Sequence, residues 1–333
     1  MDKEKKKLLQ IVDNFSQKKI VVWGDFILDE YIYGDTRRIS REAPVLILSH
    51  HSQELSLGGA GNSVLNLLSL GGEPIPVGVI GTDDSGKKIR KILQQKGISD
   101  EYLHIEKKYQ TPLKTRILAG EGHTRKQQIL RIDRETQVPE DPELKQKIKQ
   151  NIQKICRSSH ALLISDYNYF TVKKETFLQI LPWLRKKQMP VALDSRFRLL
   201  DFKGVTAATP NEPEVEEALK IQIDEDTVLL KEAGKKILKK IHSPALLITR
   251  GSKGMILFEA HKPPLEIPVH GTTDIVDVTG AGDTVISVFT LAIACSATFR
   301  QAALLANYAG SVVVMKKGTA TLTPSELKEA ITS

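Results

Sequence analysis

Cysteine is scarce in this chain. Of 333 residues only Cys156 and Cys295 carry a thiol, and neither has a CxxC partner, which excludes a disulfide framework or a cysteine metal site as the basis of the fold. Aromatic residues make up 5% and no basic run is interleaved with stacking side chains, so a nucleic-acid surface is not expected despite a formal charge of +8. Much of the basic excess lies in residues 3–7, 235–240 and 316–317, which read as solvated faces. Long apolar runs are missing as well: none approaches the roughly 18 residues that span a bilayer. The charged first residues are not followed by a signal-type apolar segment, and the expectation is a cytoplasmic protein with no membrane partner. No GxGxxG follows the first strand-like run, which weighs against a dinucleotide-dependent oxidoreductase.

What the chain does have is 41% hydrophobic content and an alternation of short apolar runs with amphipathic segments. Residues 1–17 read as a helix and 20–24 as a buried strand. Strand-like runs at 31–34 and 44–48, with Arg37, Arg38 and Arg41 between them, and a hairpin from 113–118 and 127–132 suggest a small separate sheet. Elsewhere strands near 77–80, 161–164, 191–193, 205–208, 245–248, 255–258 and 265–269 alternate with helices near 85–95, 141–156, 173–187, 212–219 and 225–241. Two apolar helices, 281–294 and 301–315, and a last helix near 325–331 complete the pattern. Such alternation predicts a mainly parallel sheet covered on both faces, with no evident domain boundary.

Three stretches carry chemistry. The sequence DVTGAGDT at 277–284 places two glycines directly before the apolar run 285–294. A helix starting near Ala281 would leave its first amides without partners, open to an anion, with the carboxylate of Asp283 alongside. A tight turn with an aspartate suited to the helix dipole is an equal reading of those eight residues alone. Asp25 and Asp29 follow the first strand, where open α/β sheets gather ligands and where a polyhydroxylated substrate would be held. GGAGN at 58–62 opens a second helix, and Asn62 offers a donor and an acceptor to sugar hydroxyls.

Taken together, GGAGN at 58–62, TPNEPE at 209–214 and DVTGAGDT at 277–284 resemble the signatures of the ribokinase-like (PfkB) carbohydrate kinases, over about residues 18–327. The resemblance implies a three-layer α/β/α sandwich with a mainly parallel central sheet and a small β lid. It implies a single kinase domain over 1–333, with lid strands inserted at about 31–50 and 112–133. Within the family, DFILDEY at 25–31, RISREAPV at 38–45, LISDY at 163–167 and GAGDTV at 280–285 are similar to kinases of D-glycero-D-manno-heptose 7-phosphate, which act on O1 in the bacterial ADP-heptose pathway. Arg41 departs from that subgroup's proline, and Asp194-Ser195-Arg196 from its Asp-Pro-Lys. A kinase of another sugar or sugar phosphate in the same family, or a non-catalytic sugar or nucleotide sensor, are the alternatives.

The implied roles are specific. Asp283 takes the acceptor proton, and the Gly280 turn with the amides of Ala281, Gly282 and Asp283 receives the phosphoryl group. Asp25, Gly58, Gly59 and Asn62 contact the sugar, and Arg38, Arg41, Lys114, Arg116 and Arg131 are candidates for its distal phosphate. Thr249, Gly251, Gly254 and Asn307 lie on the ATP side. Asn211 and Glu214 hold Mg²⁺ mostly through water, and some members add a monovalent cation such as K⁺. Lid edges that seek partners imply a homodimer.

Overall fold

Strand β1 (Lys19–Gly24) is an interior strand of the principal sheet, and its KIVVWG run explains why. Ile20 and Val22 enter one core while Val21 and Trp23 enter the other, all four fully buried. A side chain buried this way contributes about 1.5–3 kcal/mol, so the period-2 alternation fastens two layers to one strand. The computed structural model describes residues 3–120, 126–271 and 276–333; the connection at 121–125 and the segment 272–275 lie outside them.

Helix α1 (Lys3–Asp13) precedes β1, and after Asp25 the chain continues into β2 (Phe26–Ile39) and returns as β3 (Leu46–Gly59). Next come α2 (Ala60–Ser69), β4 (Glu73–Gly81), α3 (Asp84–Gln95), β5 (Leu103–Glu106) and the hairpin β6 (Leu113–Gly120) and β7 (Gln127–Arg134). The middle of the chain supplies α4 (Pro142–Ile155), β8 (Ala161–Asp166), α5 (Lys174–Lys186), β9 (Val191–Ser195), β10 (Ala207–Ala208), α6 (Glu212–Leu219) and α7 (Thr227–Lys240). Strands β11 (Ala245–Thr249), β12 (Met255–Glu259) and β13 (Leu265–Ile267) are followed by α8 (Ala281–Ala294), α9 (Phe299–Val313) and α10 (Pro324–Thr332).

The large sheet runs β13-β12-β11-β10-β9-β8-β1-β4-β5, parallel from β11 to β5, with β12 and β13 antiparallel at one edge. Helices α1, α2, α3, α8, α9 and α10 cover one face and α4 to α7 the other. Together with the second sheet, β3-β2-β6-β7, this is the expected three-layer α/β/α sandwich with a small β lid. No helix among the described residues is long and apolar enough to cross a membrane.

The lid differs from expectation in length. Strands β2 and β3 are each 14 residues long and pair from Phe26 with Gly59 to Ile39 with Leu46. Residues 49–57 contain no apolar run because much of that stretch is exposed, which removes the signal by which a strand is read. Pro44 and Val45 lie in the connection instead, and Gly58 and Gly59 close β3 before α2 begins at Ala60. Strand β5 went unread because a four-residue edge strand carries little pattern.

Candidate active site

Four parallel strands bring their carboxyl ends to one side of the sheet: β1 leads to Asp25, β8 to Asp166 and Tyr167, β9 to Asp194, and β10 to Asn211. Helix α8 begins over the same edge. Gly280 takes a left-handed conformation (φ 78°), no side chain caps the helix, and a Cβ at Gly280 would strike the Asn62 amide. The Ala281 amide, expected to be open to a ligand, instead donates to the Val278 carbonyl at 3.2 Å. The amides of Gly282 and Asp283 have no partner among the described residues, so two of the three expected donors remain.

Asp283 is 4% exposed. Its carboxylate accepts from Asn62 Nδ2 at 2.8 Å and from the Tyr167 hydroxyl at 3.2 Å. Burial, and then the nearby Asp194, push it up to about 8 against the pull of those two bonds. Asn62 was expected to meet sugar hydroxyls, but it is fully buried. Its Oδ1 accepts from Asn66 Nδ2 at 3.2 Å, and Asn66 Oδ1 accepts in turn from the Thr284 hydroxyl at 2.9 Å. That chain turns the Asn62 amide nitrogen toward Asp283, so Asn62 orients the carboxylate from behind.

Asp25 is a second correction. It is fully buried and is not among the residues that line the clefts described below; its carboxylate accepts from the amides of Tyr167 (2.8 Å), Tyr169 (3.1 Å) and Thr171 (3.1 Å). It therefore fastens the loop that carries Tyr167. Burial and then Asp166 raise it to about 6 even so. The aspartate on the cleft wall is Asp29, bound to Arg116 Nη1 at 2.5 Å. Gly58 is required beside it, since a Cβ there would collide with the Asp29 carboxylate, and Gly59 (φ 56°) turns the chain into α2.

The cleft under the lid, about 470 Å³ and the place expected for the sugar side of the site, is bounded by Asp29, Gly58, Gly59, Arg116, Thr279 and Asp283. It shares Lys114, Arg131, Tyr167 and Arg196 with a side pocket of about 800 Å³ that also takes in Asn168 and Tyr169. Lys114 lies between Asp133 (3.2 Å) and Glu135 (2.7 Å), and Arg131 is bidentate on Asp133 at 2.9 and 3.0 Å. Arg38 and Arg41 are not here: Arg38 pairs with Ile47 near the far end of β2, Arg41 is in the connection beyond, and both are exposed. Three of the five expected cations converge and two do not.

Adjoining the cleft under the lid at Tyr167, Arg196, Gly280 and Asp283, a central cleft of about 690 Å³ is lined by Asp166, Asp194, Arg196, Asn211, Glu214 and Asp283 among others. Asn211 and Glu214 form a capping box at the start of α6: Asn211 Oδ1 accepts from the Glu214 amide and Glu214 Oε2 from the Asn211 amide, each at 2.9 Å. Asn211 thus fixes Glu214 more than it presents an oxygen of its own. Burial pushes Glu214 up to about 7, and burial with the charges of Glu214 and Asp166 raises Asp194 well above the carboxylate range. Crowded carboxylates of this kind suit a hard, hydrated divalent cation. Direct ligation by three side chains is not available, since no such cluster of His, Cys, Asp or Glu exists among the described residues.

On the far side of α8 an apolar slot of about 780 Å³ is formed by Met255, Val269, Val278, Val285 and Val314, with Thr249, Gly251, Gly254 and Asn307 at its margins. All four residues expected on the nucleotide side are thus together. Asn307 donates to the Pro268 carbonyl at 2.8 Å, which leaves its carbonyl oxygen for a ligand.

The model of the pfkB family of carbohydrate kinases matches residues 17–326. The chain belongs to that family. It is a phosphotransferase acting on an alcohol group of a sugar. Among curated relatives, the bifunctional protein HldE of Pelobacter propionicus is 33% identical over 329 residues and that of Actinobacillus pleuropneumoniae 37% over 331. These alignments cover 98% and 97% of this chain but 66% of each relative, so the kinase spans slightly under two thirds of the HldE length. Among solved structures, Arabidopsis thaliana ribokinase complexed with ribose and ATP superposes with a TM-score of 0.72 at 20% identity, covering 96% of this chain and 99% of that one. Phosphofructokinase-2 from Escherichia coli in complex with potassium gives 0.71 at 14% identity, with 95% and 98% covered. These two likenesses show the fold.

Sequence reasoning named Asp283, Glu214 and the nucleotide-side residues, but passed over Tyr167, Asp194 and Arg196. In the sequence Asp194 and Arg196 stand out only as a departure from a subgroup pattern. Their position at the end of β9, a parallel strand beside β8, was the signal that could have found them.

Proposed function

We propose that this kinase transfers the γ-phosphoryl group of ATP to O1 of a sugar that already carries a distal phosphate, with D-glycero-D-manno-heptose 7-phosphate as the acceptor and the 1,7-bisphosphate as product. The observation that carries this reading is the side pocket holding Lys114 and Arg131, which opens from the sugar-side cleft. A phosphate placed there lies beyond the acceptor end of the substrate, where a free sugar would leave the pocket empty. The sequence likeness to heptose-phosphate kinases and the HldE relatives support the same acceptor. That Lys114 and Arg131 are already paired with Asp133 and Glu135 favours the second reading, a kinase of a neutral sugar.

In the first reading the acceptor hydroxyl lies between Asp29 and Asp283. Asp283 removes its proton, aided by the Asn62 and Tyr167 hydrogen bonds that hold the carboxylate in place; general-base assistance of this kind is worth about 10²- to 10⁴-fold. The amides of Gly282 and Asp283 receive charge on the phosphoryl oxygens, at about 10²- to 10³-fold per donor. Adenine occupies the apolar slot beside Asn307, where the Met255, Val269, Val285 and Val314 side chains suit a planar ring. Mg²⁺ held through water by Glu214 and Asp194 would neutralise the β- and γ-phosphates. A monovalent cation such as K⁺, present in the phosphofructokinase-2 complex, belongs to the same reading. Residues 1–333 act as one cytoplasmic kinase unit. Exposed Ile39, Leu46, Leu130 and Ile132 on the lid suit pairing with a second copy.

Release of ADP with a panel of free sugars and sugar phosphates tests the reading. Heptose 7-phosphate is expected to exceed the dephosphorylated heptose in kcat/KM by about 100-fold or more, the worth of one or two charge-assisted hydrogen bonds. A preference for any unphosphorylated sugar overturns it.

A further inference from the structure

Among the described residues that line the central cleft there is a single cation, Arg196. Its neighbours there include the carboxyl groups of Asp166, Asp194, Glu214 and Asp283, none of which offers a triphosphate a positive charge. The same side chain borders the sugar-side cleft and the side pocket, so it stands where the three spaces meet.

The other cations nearby are committed. Lys114 is paired with Asp133 and Glu135, Arg116 with Asp29, Arg131 with Asp133, and Arg198 with Asp166. Among the described residues Arg196 has no carboxylate within ion-pair distance; its guanidinium rests 5.3 Å over the Phe197 ring and the residue is exposed. The root of this arm is fixed nonetheless. The Arg196 amide donates to the Asp166 carbonyl at 3.0 Å. Ser195 just before it donates its hydroxyl to Asp166 Oδ2 at 2.7 Å and accepts from the Arg198 amide at 3.2 Å.

We propose that Arg196 is a catalytic residue that meets the transferring phosphoryl group, swinging from Phe197 onto its oxygens when nucleotide and acceptor are both present. As the acceptor oxygen bonds to the γ-phosphorus, the bond from that phosphorus to the β–γ bridging oxygen breaks. The electron pair leaves with ADP, and the hydroxyl proton goes to Asp283. A loose phosphoryl transition state spreads charge over the three equatorial oxygens. A planar guanidinium offers two donors to that charge at once, whereas a lysine offers a point charge. The proposal rests on the kinase reading above but not on the identity of the sugar.

The test uses the full chain with Mg²⁺-ATP and whichever acceptor the wild type prefers, phosphorylated or free. Arg196→Ala is expected to lower kcat by about 100-fold or more, while KM for both substrates moves less than about threefold. Arg196→Lys is expected to recover about a tenth of the wild-type kcat, and added guanidinium ion to restore part of the loss in Arg196→Ala but none in Arg196→Lys. Thermal melting of each variant within a few degrees of wild type establishes that the fold is intact. Arg196→Ala with kcat within about threefold of wild type overturns the proposal. So does a raised KM confined to phosphorylated acceptors with kcat unchanged, which would make Arg196 a holder of the distal phosphate. Wild-type protein that phosphorylates no sugar would instead remove the kinase reading on which the proposal stands.

Discussion

Substituting Asp283 by asparagine separates the charge of this side chain from its shape. In the folded chain burial, followed by the charge of Asp194, raises Asp283 from its ordinary 3.8 to about 8. The folded state therefore binds this proton more tightly than the unfolded state does. The stability associated with it is complete below about pH 4 and is lost as pH rises through about 8. At about 1.4 kcal/mol per unit, the loss has an upper bound of about 6 kcal/mol. Asp194 and Glu214 share the cleft and water enters it, so roughly 2 kcal/mol is the expected share between pH 5.5 and 9. Asparagine stays neutral throughout, and rotation of its amide presents an oxygen to Asn62. Differential scanning calorimetry without nucleotide and with chelator should therefore show the Tm of Asp283→Asn gaining on wild type by about 3 °C across that range. A gap that is constant with pH, or that narrows toward alkaline pH, would refute the claim that this carboxylate is buried at the cost of folding stability.

Two further outcomes follow from the corrected site. Asp25→Ala leaves three buried amides without an acceptor, and at about 1–3 kcal/mol each should lower the free energy of unfolding in denaturant by about 3 kcal/mol or more. A loss below about 1 kcal/mol would mean that Asp25 does not anchor the 167–171 loop. Arg38→Ala and Arg41→Ala should each leave KM for a sugar phosphate within about twofold, while Lys114→Ala raises it about tenfold or more; the reverse pattern in steady-state kinetics would relocate the distal phosphate to the outer lid.

These corrections show which parts of the molecule its sequence could disclose. Helices α6 and α8 match their expected spans of 212–219 and 281–294. Each is marked by its own residues, an asparagine capping box in one and a glycine turn before an apolar run in the other. In the lid, the outer parts of β2 and β3 carried no such mark because many of their side chains are exposed, whereas β6 and β7 lie within two residues of their expected bounds. Arg38 was a candidate because it is a cation on the strand pair expected to form the lid. It stands twelve residues along β2 from Phe26, however, and an extended chain covers on the order of 40 Å in that length at about 3.3 Å per residue. The exchange of roles between Asp25 and Asp29 has a similar origin. Both follow the first strand, but the partners that decide between them, the 167–171 amides and Arg116, come from more than 80 residues away. Arg196 is a cation in a field of carboxylates only once β8, β9 and α6 are assembled around it.

The central claim is that Asp283, at the uncapped start of α8, is the base for phosphoryl transfer to a sugar. Single-turnover transfer of labelled γ-phosphate from ATP to the preferred acceptor, in wild type and Asp283→Asn, tests it most directly. The account requires transfer slowed by about 100-fold or more in the variant with nucleotide affinity unchanged within about threefold. A variant that transfers phosphate at more than about a tenth of the wild-type rate would contradict it.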